Sequence, residues 1–103
     1  MDNEEPVNSV KNDCVQLKLV GRVQGVGFRA FVVDLAGRMA LDGWVCNRND
    51  GSVDILVSGP ASKVDEFVRI CVHESPTRAR VDHLDLRRAF PPGKAGFSCR
   101  PTY

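Results

Sequence analysis

The sequence lacks the features of a membrane protein and of a strongly charged one. Its apolar runs are only a few residues long, whereas a helix that spans a bilayer needs roughly 20 such residues. Lys and Arg number 14 and Asp and Glu 13, so the formal net charge is only +1. A global field that would attract nucleic acid or an anionic membrane is therefore missing. We predict no membrane and no nucleic-acid partner, and any recognition of an anion must be local.

Cysteine is sparse and widely spaced. Cys14, Cys46, Cys71 and Cys99 include no Cys-x-x-Cys pair with which a zinc or redox site would begin. Each lies within or beside an apolar pattern, where a reduced cysteine behaves as a small hydrophobic residue. We therefore predict buried, reduced cysteines in a cytoplasmic protein and no metal site, with a disulfide as the alternative.

The amino-terminal segment has no secretory pattern. Residues 1–13 are polar and slightly acidic, without the basic and then apolar order of a signal peptide. We predict a disordered tail over residues 1–13 and one domain over residues 14–103, since 103 residues match a single domain of average size. A monomer is the simplest expectation.

Hydrophobic periodicity predicts an α+β domain. Alternation over residues 15–19 indicates a strand, helical spacing over 30–41 a helix, and Asn49-Asp50-Gly51 a hairpin turn between two more strands. The remaining predicted elements are strands at 44–48, 52–57 and 84–86, a helix between Gly59-Pro60 and Ser75-Pro76, and a further C-terminal edge strand within 95–100. This βαββαβ order predicts a ferredoxin-like α/β sandwich, with two helices on one face of an antiparallel sheet.

A glycine-rich segment joins the first strand to the first helix. It contains Gly21, Gly25 and Gly27, ends at Arg29, and has no acidic residue from position 17 to 33. Backbone N–H groups in such a loop, with a helix amino terminus beside them, can hold a phosphate, and an arginine can pair with two of its oxygens. The alternative is a tight turn with a solvated arginine, although a cation at a helix amino terminus is unfavourable unless an anion binds.

Two other interpretations of this loop are weaker. Residues 25–30 fit the Gly-x-Gly-x-x-Ala fingerprint of dinucleotide-binding domains. The first strand alternates, a hairpin follows, and the chain is too short for several βαβ units, so we predict no dinucleotide and no other cofactor. An RNA-binding module is disfavoured because aromatic residues make up only 7% of the chain and no stacking motif is present.

Several segments together resemble acylphosphatases. Residues 21–29 read Gly-Arg-Val-Gln-Gly-Val-Gly-Phe-Arg, residues 43–47 read Gly-Trp-Val-Cys-Asn, and residues 50–53 read Asp-Gly-Ser-Val. The resemblance covers nearly the whole chain beyond the tail. It implies a ferredoxin-like enzyme that hydrolyses the carboxyl–phosphate bond of small-molecule acyl phosphates without a metal. Residues 74–76 depart from the glycine-proline turn that many members have, and Cys99 and Pro101 weaken the apolar pattern of the closing strand.

The resemblance also assigns roles to individual residues. Arg29 matches the phosphate-binding arginine, and Asn47 matches the asparagine that orients the attacking water. The segment that matches the phosphate cradle comprises Gln24, Gly25, Val26, Gly27 and Phe28, together with Arg29.

The chemistry of the two assigned catalytic residues fits a reactive phosphoryl donor. Asn47 can accept a hydrogen bond from water but cannot take its proton. This suffices when the leaving group is a carboxylate, whose pKa of about 4 lets it depart unprotonated. Two alternatives stay open: a non-catalytic anion-binding regulatory domain of the same fold, and a purely structural Asn47 that bonds its own turn.

Overall fold

The protein is described by a computed structural model that covers residues 12–103. In chain order its elements are β1 (Asn12–Arg22), α1 (Phe28–Arg38), β2 (Asp42–Asn47), β3 (Val53–Pro60), α2 (Ala61–His73), β4 (Arg80–Arg88) and β5 (Phe97–Cys99). The predicted βαββαβ order and the extra edge strand are confirmed. Of the tail predicted over residues 1–13, residues 1–11 lie outside the described residues, whereas Asn12 and Asp13 belong to β1. No helix in the described part of the chain is long and apolar enough to cross a membrane.

The five strands form one mixed sheet in the order β4-β1-β3-β2-β5. Three pairings are antiparallel, as predicted for the sheet: β1 pairs with β3 and with β4, and β2 pairs with β3. The fifth strand differs, because β5 pairs parallel with β2. Residues 89–96 lead from one edge strand of the sheet to the other, so β5 extends the sheet beside β2.

The hydrophobic core lies between the sheet and the two helices. Alternate strand residues face this core and are buried, among them Leu17, Leu19, Val45, Val53, Ile55 and Val57. Helix α1 contributes Val32 and Leu35, and α2 contributes Val64, Phe67 and Cys71. Burying this apolar surface stabilises the fold by about 25 cal/mol for each Å² removed from water.

The end of the first helix differs from the prediction. The spacing predicts a helix over residues 30–41, whereas α1 ends at Arg38 and β2 already begins at Asp42. Ala40 adopts a left-handed φ of 57°, and the Leu41 N–H donates to the Ala36 carbonyl at 2.9 Å. This arrangement terminates a helix and usually has glycine at the left-handed position. The helix end could not be predicted at this position because alanine occupies it.

The cysteines are all free thiols, and burial was predicted correctly for three of them. Cys14, Cys46 and Cys71 are buried, but Cys99 is exposed. Cys99 ends the short edge strand β5, so one side of it has no neighbouring strand. The prediction of burial for Cys99 was therefore wrong.

Candidate active site

The loop between β1 and α1 has a backbone that only glycine adopts easily. Gly25 has a φ of +73° and Gly27 a φ of +79°, both in the left-handed region. A Cβ built at either position would meet no atom within 4 Å. The glycines are therefore required by backbone conformation and not by lack of space. The result is a tight turn that leads straight into α1.

This turn leaves a row of unpaired hydrogen-bond donors. Gly27 precedes α1 without a side-chain capping bond, and the first turn of α1 carries no acidic residue. The first bond into the helix runs from the Phe31 N–H to the Gly27 carbonyl at 3.2 Å. Within residues 12–103, no acceptor pairs with the N–H groups of residues 24–29. Free N–H groups beside the positive end of a helix dipole are the groups with which proteins bind anions.

Gln24 fastens the loop to the β2–β3 hairpin. Its side-chain Nε2 donates to the carbonyl oxygens of Arg48 and Ser52, each at 2.8 Å. The loop is thereby held beside the end of β2, where Asn47 lies. The backbone of Gln24 was predicted to belong to the phosphate cradle. The role of its side chain was not predicted, because it depends on contacts with residues far along the chain.

Phe28 anchors the loop from the core side. Its side chain is only 1% exposed and packs in the hydrophobic core. Its ring centroid lies 6.5 Å from that of Phe31. Only the backbone of Phe28 can therefore face an anion, and its side chain keeps the first turn of α1 seated on the sheet.

Asn47 ends β2 with an unpaired polar atom. Among the buried side-chain polar atoms of residues 12–103, the Oδ1 of Asn47 alone has no hydrogen-bond partner. Leaving a buried acceptor unpaired typically costs about 1–3 kcal/mol, so such an atom is unusual outside a functional site. The turn that follows is instead bonded by Asp50, whose Oδ1 accepts from the Ser52 N–H at 2.9 Å and from the Ser52 hydroxyl. The interpretation in which Asn47 bonds its own turn is therefore not favoured.

The loop, Arg29 and Asn47 meet in one cavity. It has a volume of about 220 Å³ and is lined by Val23, Gln24, Gly25, Gly27, Phe28, Arg29, Ala30 and Asn47. Of the seven predicted site residues, the structure brings six together here. Val26 is the exception, since it is half-buried against the core and does not line this cavity.

Arg29 carries a charge that no neighbouring carboxylate neutralises. Its Nη1 lies 3.5 Å from the Sγ of Cys99, a weak contact with a neutral thiol. Within the part of the chain that the structure describes, Arg29 forms no salt bridge with an acidic side chain. The guanidinium is therefore available to a bound anion, and β5 contributes the residue beside it.

A second group of residues supports Asn47, and no pattern in the sequence predicted it. The Tyr103 N–H donates to the Asn47 carbonyl at 3.1 Å, and the Tyr103 carbonyl accepts from the Asn49 N–H at 2.7 Å. The Asp54 Oδ2, which is nearly buried, accepts from Arg48 at 2.7 Å and from the Tyr103 hydroxyl at 3.0 Å. Partial burial and this bond to Asp54 raise the pKa of Tyr103, while Asp54 raises the pKa of Arg48.

Other features of the described residues lie away from this site. No group of three or more potential metal ligands among His, Cys, Asp and Glu occurs within residues 12–103. A larger cavity of about 410 Å³ is lined by residues that include Lys18, Asp54 and Arg87. It contains none of the predicted site residues and none of the free N–H groups of the loop, so we do not assign the site there.

Comparisons with known proteins agree with this geometry. The chain matches the family model for acylphosphatases over residues 15–99. It is 46% identical over 86 residues to the acylphosphatase of Azoarcus sp. (strain BH72), covering 84% of this chain and 87% of that one. It is 48% identical over 86 residues to the acylphosphatase of Acidiphilium cryptum (strain JF-5), covering 84% and 93%.

A solved structure of an acylphosphatase is also similar to this chain. The crystal structure of acylphosphatase from Bacillus subtilis superimposes with a TM-score of 0.78 at 38% sequence identity, covering 84% of this chain and 97% of that one. Its ferredoxin-like fold is the one that the strand and helix order predicted. Because the family model spans most of the sequence and the relatives are similar along almost their whole length, the chain belongs to the acylphosphatase family.

Proposed function

We propose that this chain hydrolyses the carboxyl–phosphate bond of acyl phosphates to a carboxylate and inorganic phosphate, with no metal ion or other cofactor. The observation that carries the proposal is the buried, unpaired Oδ1 of Asn47, which shares a cavity with the loop and with Arg29. An acceptor placed beside an anion site can hold a water molecule against the bound phosphoryl group. The relatives compared above are acylphosphatases, which favours the same activity.

The loop and Arg29 bind the phosphoryl group in this proposal. The free N–H groups of the loop residues that line the cavity donate to its oxygens, and the amino terminus of α1 adds partial positive charge. The planar guanidinium of Arg29 donates to two oxygens at once. Phosphoryl transfer through a loose transition state needs alignment and neutralisation of the equatorial oxygens, and these groups supply both.

Asn47 places the attacking water. Its Oδ1 accepts a hydrogen bond from the water, whose oxygen then forms a bond to phosphorus as the bond between phosphorus and the carboxyl oxygen breaks. The electron pair of that bond leaves with the carboxylate, and the proton of the water goes to the phosphate product or to solvent. Asn47 takes no proton at any stage, because an amide has no basic site of useful strength.

The leaving group determines which substrates suit such a site. A carboxylate departs without protonation because its pKa is about 4. An alkoxide is far more basic and needs a general acid, which the cavity lining does not include. We therefore propose that acyl phosphates are substrates and that phosphate monoesters of ordinary alcohols are poor ones.

The proposal also covers the localisation, the oligomeric state and the partners of the enzyme. We propose a cytoplasmic monomer that acts on a small-molecule acyl phosphate and has no nucleic-acid partner. The four free thiols favour a reducing compartment. The formal net charge of +1 does not favour a polyanionic partner.

Hydrolysis of benzoyl phosphate in the presence of EDTA tests the proposed function. Turnover that is unchanged by EDTA, with inorganic phosphate as a competitive inhibitor and little hydrolysis of an alkyl phosphate, is the expected result. Phosphate binding without turnover would instead indicate a non-catalytic anion-binding domain. Turnover lost with EDTA and restored by a divalent cation would contradict the metal-free chemistry.

A further inference from the structure

A second cavity adjoins the proposed phosphate site. It is shallow, has a volume of about 530 Å³, and is lined by Arg29, Ala30, Val33, Asp34 and Cys99. Arg29 and Ala30 line both cavities, so the two adjoin at the first turn of α1. Asn47 lines only the phosphate cavity. We call this second depression the α1–β5 cavity.

The order of these groups matches the direction of the reaction. In an in-line displacement the attacking and leaving oxygens lie on opposite sides of phosphorus. Asn47 marks the attacking side in the proposed function and lines only the phosphate cavity, whereas Arg29 lines both cavities. We infer that the α1–β5 cavity receives the acyl group of the substrate and favours a compact apolar or aromatic one. This inference rests on the proposed function.

The walls of the α1–β5 cavity suit such an acyl group. Ala30 and Val33 present methyl groups one turn apart on α1, and Cys99 presents a neutral thiol from β5. Arg29 adds the stem of its side chain and a guanidinium face, on which an aromatic ring can stack. An apolar ring gains free energy here in proportion to the apolar area that it removes from water.

The charge at the rim disfavours a different class of acyl group. Asp34 lines the cavity and is paired with Arg38, whose Nε lies 2.9 Å from the Asp34 Oδ2. Both side chains are well exposed, so the pair is screened by solvent. A second carboxylate at the far end of an acyl group would nevertheless be placed near the carboxylate of Asp34. Dicarboxylic acyl phosphates should therefore be poorer substrates than compact apolar ones.

Steady-state kinetics with three substrates tests the inference: acetyl phosphate, benzoyl phosphate and succinyl phosphate. The variant Val33→Asn removes an apolar wall without adding charge near the phosphate. Val72→Asn is its matched control, because Val72 is also a half-buried helical valine packed against the core but lines neither cavity. Val33→Thr keeps the shape of valine and serves as a second, milder variant if Val33→Asn folds poorly.

We expect Val33→Asn to lower kcat/KM for benzoyl phosphate about fivefold or more relative to Val72→Asn. For acetyl phosphate the change should stay within about twofold, since its methyl group makes little contact with the wall. The inhibition constant of inorganic phosphate should not change. Equal losses on both substrates, or no loss on benzoyl phosphate, would overturn the assignment of the cavity.

The charge at the rim is tested separately by Asp34→Asn. This variant should raise severalfold the ratio of kcat/KM for succinyl phosphate to kcat/KM for benzoyl phosphate, and an unchanged ratio would overturn the predicted discrimination. Failure of the proposed function is distinguishable from these outcomes, because the wild-type protein would then hydrolyse none of the three substrates.

Discussion

The backbone N–H of Tyr103 donates to the carbonyl oxygen of Asn47 at 3.1 Å. The phenol hydroxyl of Tyr103 also donates to Asp54, so this residue contacts the end of β2 through its backbone and β3 through its side chain. The residue proposed to place water is thus fixed by the β2–β3 pairing on one side and by Tyr103 on the other. Its buried Oδ1 has no hydrogen-bond partner among the described residues.

Replacing Tyr103 by Phe removes the bond to Asp54 and keeps the backbone contact. We expect a loss of about 0.5 kcal/mol in the free energy of unfolding at pH 7, a low value because Arg48 still pairs with Asp54 and Tyr103 is 53% exposed. The folded state raises the pKa of Tyr103 above its ordinary value of 10.0, so this stabilisation is present below pH 10 and is lost as the phenol ionises. Denaturant unfolding of both proteins from pH 7 to 11 should show the difference shrinking, and a constant difference would contradict the assignment.

Removing the charge of Arg29 should affect catalysis far more than removing a nearby charge. We expect Arg29→Ala to lower kcat/KM for benzoyl phosphate by about 10²-fold or more, as for other lost electrostatic donors. Arg29→Lys should recover little, because lysine cannot donate to two phosphate oxygens in one plane. Arg22→Ala is the matched control: Arg22 is exposed at the end of β1 and lines neither cavity. Similar losses in Arg22→Ala and Arg29→Ala would show that only general charge matters.

Two glycines in neighbouring segments should respond oppositely to alanine. Gly27 has a left-handed φ of +79°, so Gly27→Ala should lower the free energy of unfolding by about 1 kcal/mol, although the space is open. Gly37 lies within α1 without a positive φ and also has open space around it. Gly37→Ala should therefore raise stability by about 0.5–1 kcal/mol. The two midpoints of denaturant unfolding give the comparison, and a Gly27→Ala protein as stable as the wild type would mean that the turn adopts another conformation.

Thiol reactivity should distinguish Cys99 from the other cysteines. Burial raises the pKa of Cys71 to about 12, and burial also raises the pKa of Cys14 and Cys46, so these three thiols have little thiolate at pH 8. A disulfide reagent should label one thiol rapidly in the native protein and all four after unfolding. Cys99→Ser should abolish the rapid phase. Rapid labelling of two or more thiols in the native protein would show that the core opens readily.

Local patterns in the sequence predicted the element order and the anion-binding loop with Arg29, because both depend on neighbouring residues. The role of Asn47 was predicted only from the resemblance to acylphosphatases. Alternation and helical spacing report which side faces the core, and the glycines before Arg29 report a tight turn. Three features could not be predicted: the bridge from Gln24 to the hairpin, the support of Asn47 by Tyr103, and the exposure of Cys99. Each depends on contacts between segments far apart in the chain, for which periodicity carries no signal.

Asn47→Ala gives the most direct test of the central claim, that the loop and Arg29 bind phosphate while Asn47 places water. Turnover of benzoyl phosphate and inhibition by inorganic phosphate are measured on the wild type, Asn47→Ala and Asn49→Ala. Asn49 is the control, because it is an exposed asparagine of the same hairpin that does not line the cavity. We predict that Asn47→Ala lowers kcat by about 10²-fold or more while the inhibition constant changes by less than about twofold. Normal turnover in Asn47→Ala would contradict the account.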